Sequence, residues 1–301
     1  MPYGQYRLSS YVASTTCLGY GDDTRLSPGS RIVRISGKAC NVSETGATIL
    51  GPVSAIPLVA RKCACNLHNA LCNRHLKIAR PFTADLSRII RPIEQCLGSV
   101  SRHYAVLIDE WAGRWLSKWP AGKQKAILAS ERVDTLMPGR LNAMVKREVM
   151  LKLTKARAIQ YYPNLATQAR FGAEFYALQK AWTLAIAEMD FDGSRIAFAS
   201  GMNAIELGTW MTDTLSDGFT WFYERDGKAW DSSMQSAHHA MRMAAYKSMP
   251  SDFRKFVDDG FVAKAVGRVG NARERATIKY VVAGTNKSGH NDTTLYNTIV
   301  N

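Results

Sequence analysis

Three short stretches carry residue types that do chemistry. In ERDGKAWD, Asp226 follows the β-prone aromatic run FTWFYE at 219–224, and Asp231 lies five residues later, past Gly227. A carboxylate at a strand end offers hard oxygen ligands to a cation, and a neighbouring glycine lets the backbone approach a metal or a triphosphate. The plainer alternative is a turn with one solvated carboxylate. About sixty residues on, in GTNKSGHNDTTLYNTIVN, Ser288 and Gly289 form a small-residue loop, and Thr293 and Asn297 are four apart on the helix expected to start near Asp292. Residues at i and i+4 share a helix face, so a hydroxyl and an amide can be presented to one ligand. An amide both donates and accepts, which suits a ribose 2′-hydroxyl. The third stretch, KREVMLKLTKARAIQYY, sets Lys146, Lys155 and Arg157 among apolar positions. Such alternation in an extended or hairpin-like segment gathers cations on one side, where they could line a channel for a triphosphate or a template strand. Glu148 could pair with one of them, and a merely solvated basic face is the competing reading.

The order of the three is more specific than any one of them. A basic K-x-E…K-x-R segment, then D-x4-D after a strand, then S-G-x3-T-x3-N resembles motifs F, A and B of RNA-dependent RNA polymerases of positive-strand RNA viruses, and most closely those of tombusvirus-like and nodavirus-like replicases. The resemblance covers roughly Lys146 to Asn301. It implies an α+β fold: a right-hand polymerase fragment with fingers and the first part of an antiparallel-sheet palm, the thumb missing. The implied division is 1–115 as N-terminal extension and fingers, 116–217 as fingers with the basic segment, and 218–301 as a partial palm. The implied activity is template-directed nucleotidyl transfer from NTPs onto an RNA 3′-hydroxyl, with Mg²⁺ or Mn²⁺ and an RNA template and product as partners. Asp226 would then resemble the metal-binding aspartate. Asp231, grouped with Asp226 as catalytic, would join Ser288, Thr293 and Asn297 in selecting the ribose, with Gly289 also nucleotide-binding. Lys155 and Arg157 would contact the incoming triphosphate, with Lys146, Arg147 and Glu148 supporting that segment. Replication at membranes in a host cytoplasm would fit such a polymerase.

One part of the pattern departs from the family. A Gly-Asp-Asp hairpin normally follows motif B and supplies another metal-binding carboxylate, whereas here the sequence reaches Asn301 first. The expectation is a truncated or split polymerase, inactive without its C-terminal palm and thumb. The only Gly-Asp-Asp is Gly21-Asp22-Asp23. A permuted polymerase using Asp22 and Asp23 is one reading, but TRLSPGS lacks the apolar return strand of a metal-binding hairpin, so a surface turn is preferred. A rival from another class is a non-catalytic RNA-binding protein that uses the basic segment and the tryptophans for backbone contact and stacking.

The elements that must position these residues are read from periodicity. RIVRI at 31–35 reads as a short strand. From His103 the pattern is helical, with Trp111, Trp115 and Trp119 on one face as core packing before Pro120 ends the run. A second helix is expected from Asn164 to Met189, a buried strand at 195–200, and a helix capped by Ser232 or Ser233 running to Met249. A strand at 277–282 should lead into the glycine-containing loop.

Composition agrees with a polyanionic partner. Across 301 residues, 39 Lys and Arg oppose 25 Asp and Glu, for a formal charge of +14. Between Pro138 and Phe171 seven basic residues face one acidic one. Such a field attracts phosphate backbones or acidic membrane surfaces. The run from Ala47 to Ala60 is too short, and too interrupted by Pro52 and Pro57, to span a bilayer, which takes about 20 residues. The N-terminus lacks a signal-peptide core, so the six cysteines are expected as reduced thiols. CACNLHNALCNRH puts Cys63, Cys65, His68, Cys72 and His75 together, but its spacing matches no paired C-x2-C ribbon. Buried thiols with surface histidines, and no structural zinc, are expected; His238 and His239 read as surface or boundary residues.

Overall fold

Strict alternation builds the main sheet. In β7 (Val262–Val269) Ala263, Ala265, Gly267 and Val269 are buried while Val262, Lys264 and Arg268 are exposed, the period-2 signature of a strand with one face on a core. The computed structural model describes residues 14–17, 26–37, 58–132, 135–146, 149–150, 156–189, 193–199, 202–221, 233–270, 275–287 and 291–300. The architecture is α+β, in two compact units. The first comprises residues 1–78, 142–160 and 264–282; the second comprises 79–141, 161–263 and 283–301. These follow contacts, whereas the division at 115 and 217 follows the motifs. Among the described residues no helix is long and apolar enough to cross a membrane.

The first unit holds two sheets. Its five-stranded sheet has the order β2-β8-β7-β4-β6, with β2 at Arg31–Ser36, β4 at Arg140–Val145, β6 at Ala158–Tyr161 and β8 at Ala276–Ala283. The expected strands at 31–35 and 277–282 are both present. β2 pairs antiparallel with β8, with a bulge between Ile32 and Arg34, and it carries Arg31 and Arg34 on the sheet edge, a common guard against edge-to-edge pairing. Gly37, at φ +104°, closes β2; a side chain there would lie 2.7 Å from the Ala276 Cβ. The smaller sheet has the order β1-β3-β5, from Ser14–Thr16, Leu58–Ala60 and Val149–Met150. β1 and β3 run parallel, with Thr16 beside Ala60. Helix α1 (Ala64–Ala70) continues as a π-helical turn over Leu71–His75. Its Leu67 packs so close to β7 that a Cβ on Gly267 would meet its tip at 2.2 Å.

The second unit is helical. Helix α2 (Leu86–Ser117), capped by Asp85 accepting from the Ser87 amide at 3.0 Å, packs on α5 (Gly172–Glu188) and on α7 (Ser236–Ala245). It begins well before His103, because Pro92 and Gly98 obscure the helical pattern that the backbone sustains. The tryptophan stripe is core packing at Trp115, which is buried. Trp111 and Trp119 are half-buried, and Trp111 meets Tyr176 edge-on at 4.9 Å. Around these lie α3 (Ala121–Ser130), α4 (Leu165–Ala169), α6 (Ala204–Ser216), α8 (Ser251–Asp259) and α9 (Thr293–Val300).

Several expected elements are corrected. The single helix from Asn164 to Met189 is two, α4 and α5, broken where Phe171 adopts a left-handed φ of 59°. That break sends the Phe171 ring into a buried aromatic cluster, 5.1 Å from Phe253 and 5.4 Å from Phe256. Residues 195–199 form no strand: Phe198 is buried but Ile196 is half exposed. Helix α7 starts at Ser236, with Gln235 as its N-cap and the Gln235 amide donating to the His238 Nδ1 at 3.0 Å, and ends at Ala245, short of Met249. Residues 219–221 are not in a strand and Trp221 is 90% exposed. His68 and His75 are buried, not on the surface, because α1 and the π-helical turn are covered over most of their circumference. Burial, aided by Arg74, holds the His75 pKa down to about 4. His238 and His239 are boundary residues, with the His239 Nε2 3.1 Å from Asp258.

Candidate functional site

The expected helix after the glycine loop is α9, and Asp292 immediately before it is completely buried. A buried carboxylate needs a partner, since desolvating it alone costs several kcal/mol. Its partner is Arg242 of α7, itself 5% exposed, which forms an ion pair with it; the Tyr246 hydroxyl donates to the same carboxylate at 3.0 Å. The guanidinium also lies 4.8 Å from the Tyr296 ring centroid, a cation–π distance. Burial works against the charge on Arg242, but Asp292 outweighs it and holds the guanidinium firmly protonated. Burial, reinforced by Asp292, pushes the Tyr246 phenol well up.

A second cation lies in the same cluster. Lys287 is 5% exposed and donates through Nζ to the Phe261 carbonyl at 2.8 Å. Burial first, then repulsion from Arg242, brings its pKa down to about 7, with Asp292 opposing. The loop containing it is shaped by Gly284 at φ +79°, whose amide donates to the Phe261 carbonyl at 3.3 Å.

Thr293 and Asn297 do share one face of α9, as their spacing requires. The Thr293 hydroxyl donates to the Lys287 carbonyl at 2.9 Å, and the Asn297 Oδ1 accepts from the Asn286 Nδ2 at 2.8 Å. Both side chains are therefore fixed against residues 286–287. The helix start is a braced platform, with the hydroxyl and the amide clamped to Asn286 and Lys287.

In the first unit the two ends of the basic segment lie on neighbouring strands. The chain leaves β4 at Val145 and returns in the neighbouring β6 at Ala158, and the Lys146 amide donates to the Arg157 carbonyl at 2.7 Å. Arg157 is exposed and Lys146 half-buried. Asp226, Asp231, Arg147, Glu148, Lys155, Ser288, Gly289, Asp22 and Asp23 lie outside the described residues.

Sequence reasoning missed Arg242, Lys287 and the role of Asp292. The available signal was an arginine beside Met241 and three before Ala245 on the apolar stripe of α7; a charge at a core position asks for a buried counter-charge. No protein-family model matches the chain, and no curated protein is significantly similar to it.

Proposed function

We propose that this chain carries the fingers and early palm of an RNA-dependent RNA polymerase, binding RNA and NTPs for template-directed nucleotidyl transfer. The observation that carries the reading is the S-G-x3-T-x3-N run, whose Thr293 and Asn297 sit on one face of a helix whose start is braced by the Arg242–Asp292 pair. The order of the basic, D-x4-D and Ser-Gly segments supports it, as does the charge of +14. In this reading Lys155 and Arg157 attract the triphosphate, with Lys146, Arg147 and Glu148 as support. Asn297 and Asp231 discriminate the ribose. Asp226, whose hard carboxylate oxygens suit Mg²⁺ or Mn²⁺, would hold the cation, which would supply charge stabilisation at the transferring phosphoryl group.

The test is metal-dependent nucleotide binding, since Gly-Asp-Asp occurs in this sequence only at Gly21–Asp23. Fluorescent NTP is expected to bind with Mn²⁺. Asp226→Ala should weaken that binding at least tenfold and leave the affinity for single-stranded RNA in place. Equal nucleotide binding by both proteins, with RNA affinity intact, would instead assign a non-catalytic RNA-binding protein.

A further inference from the structure

Three thiols converge in the first unit. Cys17 directly follows β1, Cys63 caps α1, and Cys65 is in its first turn. The parallel pairing of Thr16 with Ala60 brings the ends of β1 and β3 side by side, so Cys17 arrives next to the turn that leads into α1. That turn is doubly hydrogen-bonded: the Cys63 amide and the Asn66 side-chain amide both donate to the Arg61 carbonyl, at 2.9 and 3.0 Å. The Asn66 backbone N–H in turn points at the Cys63 sulfur, at 3.5 Å.

The sulfurs are spaced for a cation. Cys17 Sγ and Cys63 Sγ are 3.7 Å apart, and all three Sγ atoms lie within 4.8 Å of one another. Two thiolates on one tetrahedral zinc, each about 2.3 Å from it, are separated by about 3.8 Å. A disulfide needs about 2.05 Å. Cys63 and Cys65 are buried and Cys17 is half-buried. Three largely buried soft donors with N–H support at one sulfur form the donor set of a thiophilic divalent ion, not of a hard one.

We propose that Cys17, Cys63 and Cys65 bind one zinc ion through three thiolates, tying β1 to the start of α1. A fourth donor, from water or another side chain, completes the tetrahedron. The site would be structural, fixing two segments forty-six residues apart, and it does not depend on the polymerase reading. No electron transfer is involved: each thiol gives up its proton to solvent as the ion binds.

The purified full chain, reduced and dialysed against a weak chelator, should retain one zinc per chain by elemental analysis. Cobalt(II) should replace the zinc and give the intense near-ultraviolet absorption of thiolate charge transfer. Cys17→Ser, at a half-buried strand end where folding is least at risk, should lower zinc affinity at least tenfold and weaken the cobalt band. Cys63→Ser and Cys65→Ser should do the same, and Cys96→Ser, in the other unit, should leave both unchanged. Absence of stoichiometric zinc in the folded wild-type chain would overturn the proposal. So would wild-type zinc affinity in Cys17→Ser, or mass-spectrometric detection of a Cys17–Cys63 disulfide in place of metal.

Discussion

In the helical unit a carboxylate, a guanidinium and an ammonium, those of Asp292, Arg242 and Lys287, share one buried cluster beneath α9. In the sheet unit the buried polar side chains among the described residues are amides, imidazoles and thiols: Asn66, Asn69, Gln160, His68, His75 and the cysteines. The two units therefore fix their polar groups by different physics. Ionic pairing in a low-dielectric interior is strong when complete and severely penalised when one partner is lost. Neutral hydrogen bonds are weaker individually and fail more gently. The ionic cluster lies under the helix that carries Thr293 and Asn297, where the nucleotide site is proposed. The sheet unit offers soft ligands.

Removing Asp292 is the sharpest way to break this contrast. Asp292→Ala leaves Arg242 buried without its counter-charge and should cost about 3–5 kcal/mol in urea denaturation. Pairing it with Arg242→Met should recover part of that loss. In the sheet unit, the Gln160 Nε2 donates to the Tyr280 hydroxyl at 3.0 Å, and both residues are fully buried. Gln160→Leu should cost only about 1–2 kcal/mol, because one neutral hydrogen bond is lost and the tyrosine keeps its packing. An equal loss in both variants would dissolve the distinction.

Proton linkage separates the units by pH window, with smaller effects. Lys287 has a folded pKa of about 7, below its ordinary value, so between pH 7 and the ordinary lysine range the unfolded chain binds the extra proton. Its contribution to stability is therefore least favourable below pH 7 and improves as the pH rises above it. Asp292, Arg242 and His239 are the charged and titratable groups coupled to it. Lys287→Met should flatten that rise in the melting temperature. His75 is depressed to about 4, so the unfolded chain binds more protons between about pH 4 and 6.5 and stability falls as the pH drops through that interval. His75→Gln should reduce the acid loss and leave the alkaline window unchanged.

Parts of this organisation were legible from residue order. The strands at 31–35 and 277–282, the stop at Pro120, the buried Trp115 and the common face of Thr293 and Asn297 follow from period and spacing. They were readable because backbone geometry links near neighbours directly. The helix break at Phe171 was not, since α4 and α5 are both strongly helical in sequence; the left-handed turn is held by the aromatic cluster the ring enters. Gly172 shows the same dependence: a Cβ there would lie 2.2 Å from the Trp115 ring, a contact made only once α2 packs on α5.

By itself the sequence determined the periodic elements, the strongly basic charge and the relative order of the three chemistry-bearing segments, because these depend on local geometry and composition. Only the tertiary structure decided that Asp292 finds Arg242 fifty residues away, and that Cys17 joins Cys63 and Cys65. Both depend on packing and strand register that bring distant residues to one point, and there burial and proximity, not residue type, set what each group can do.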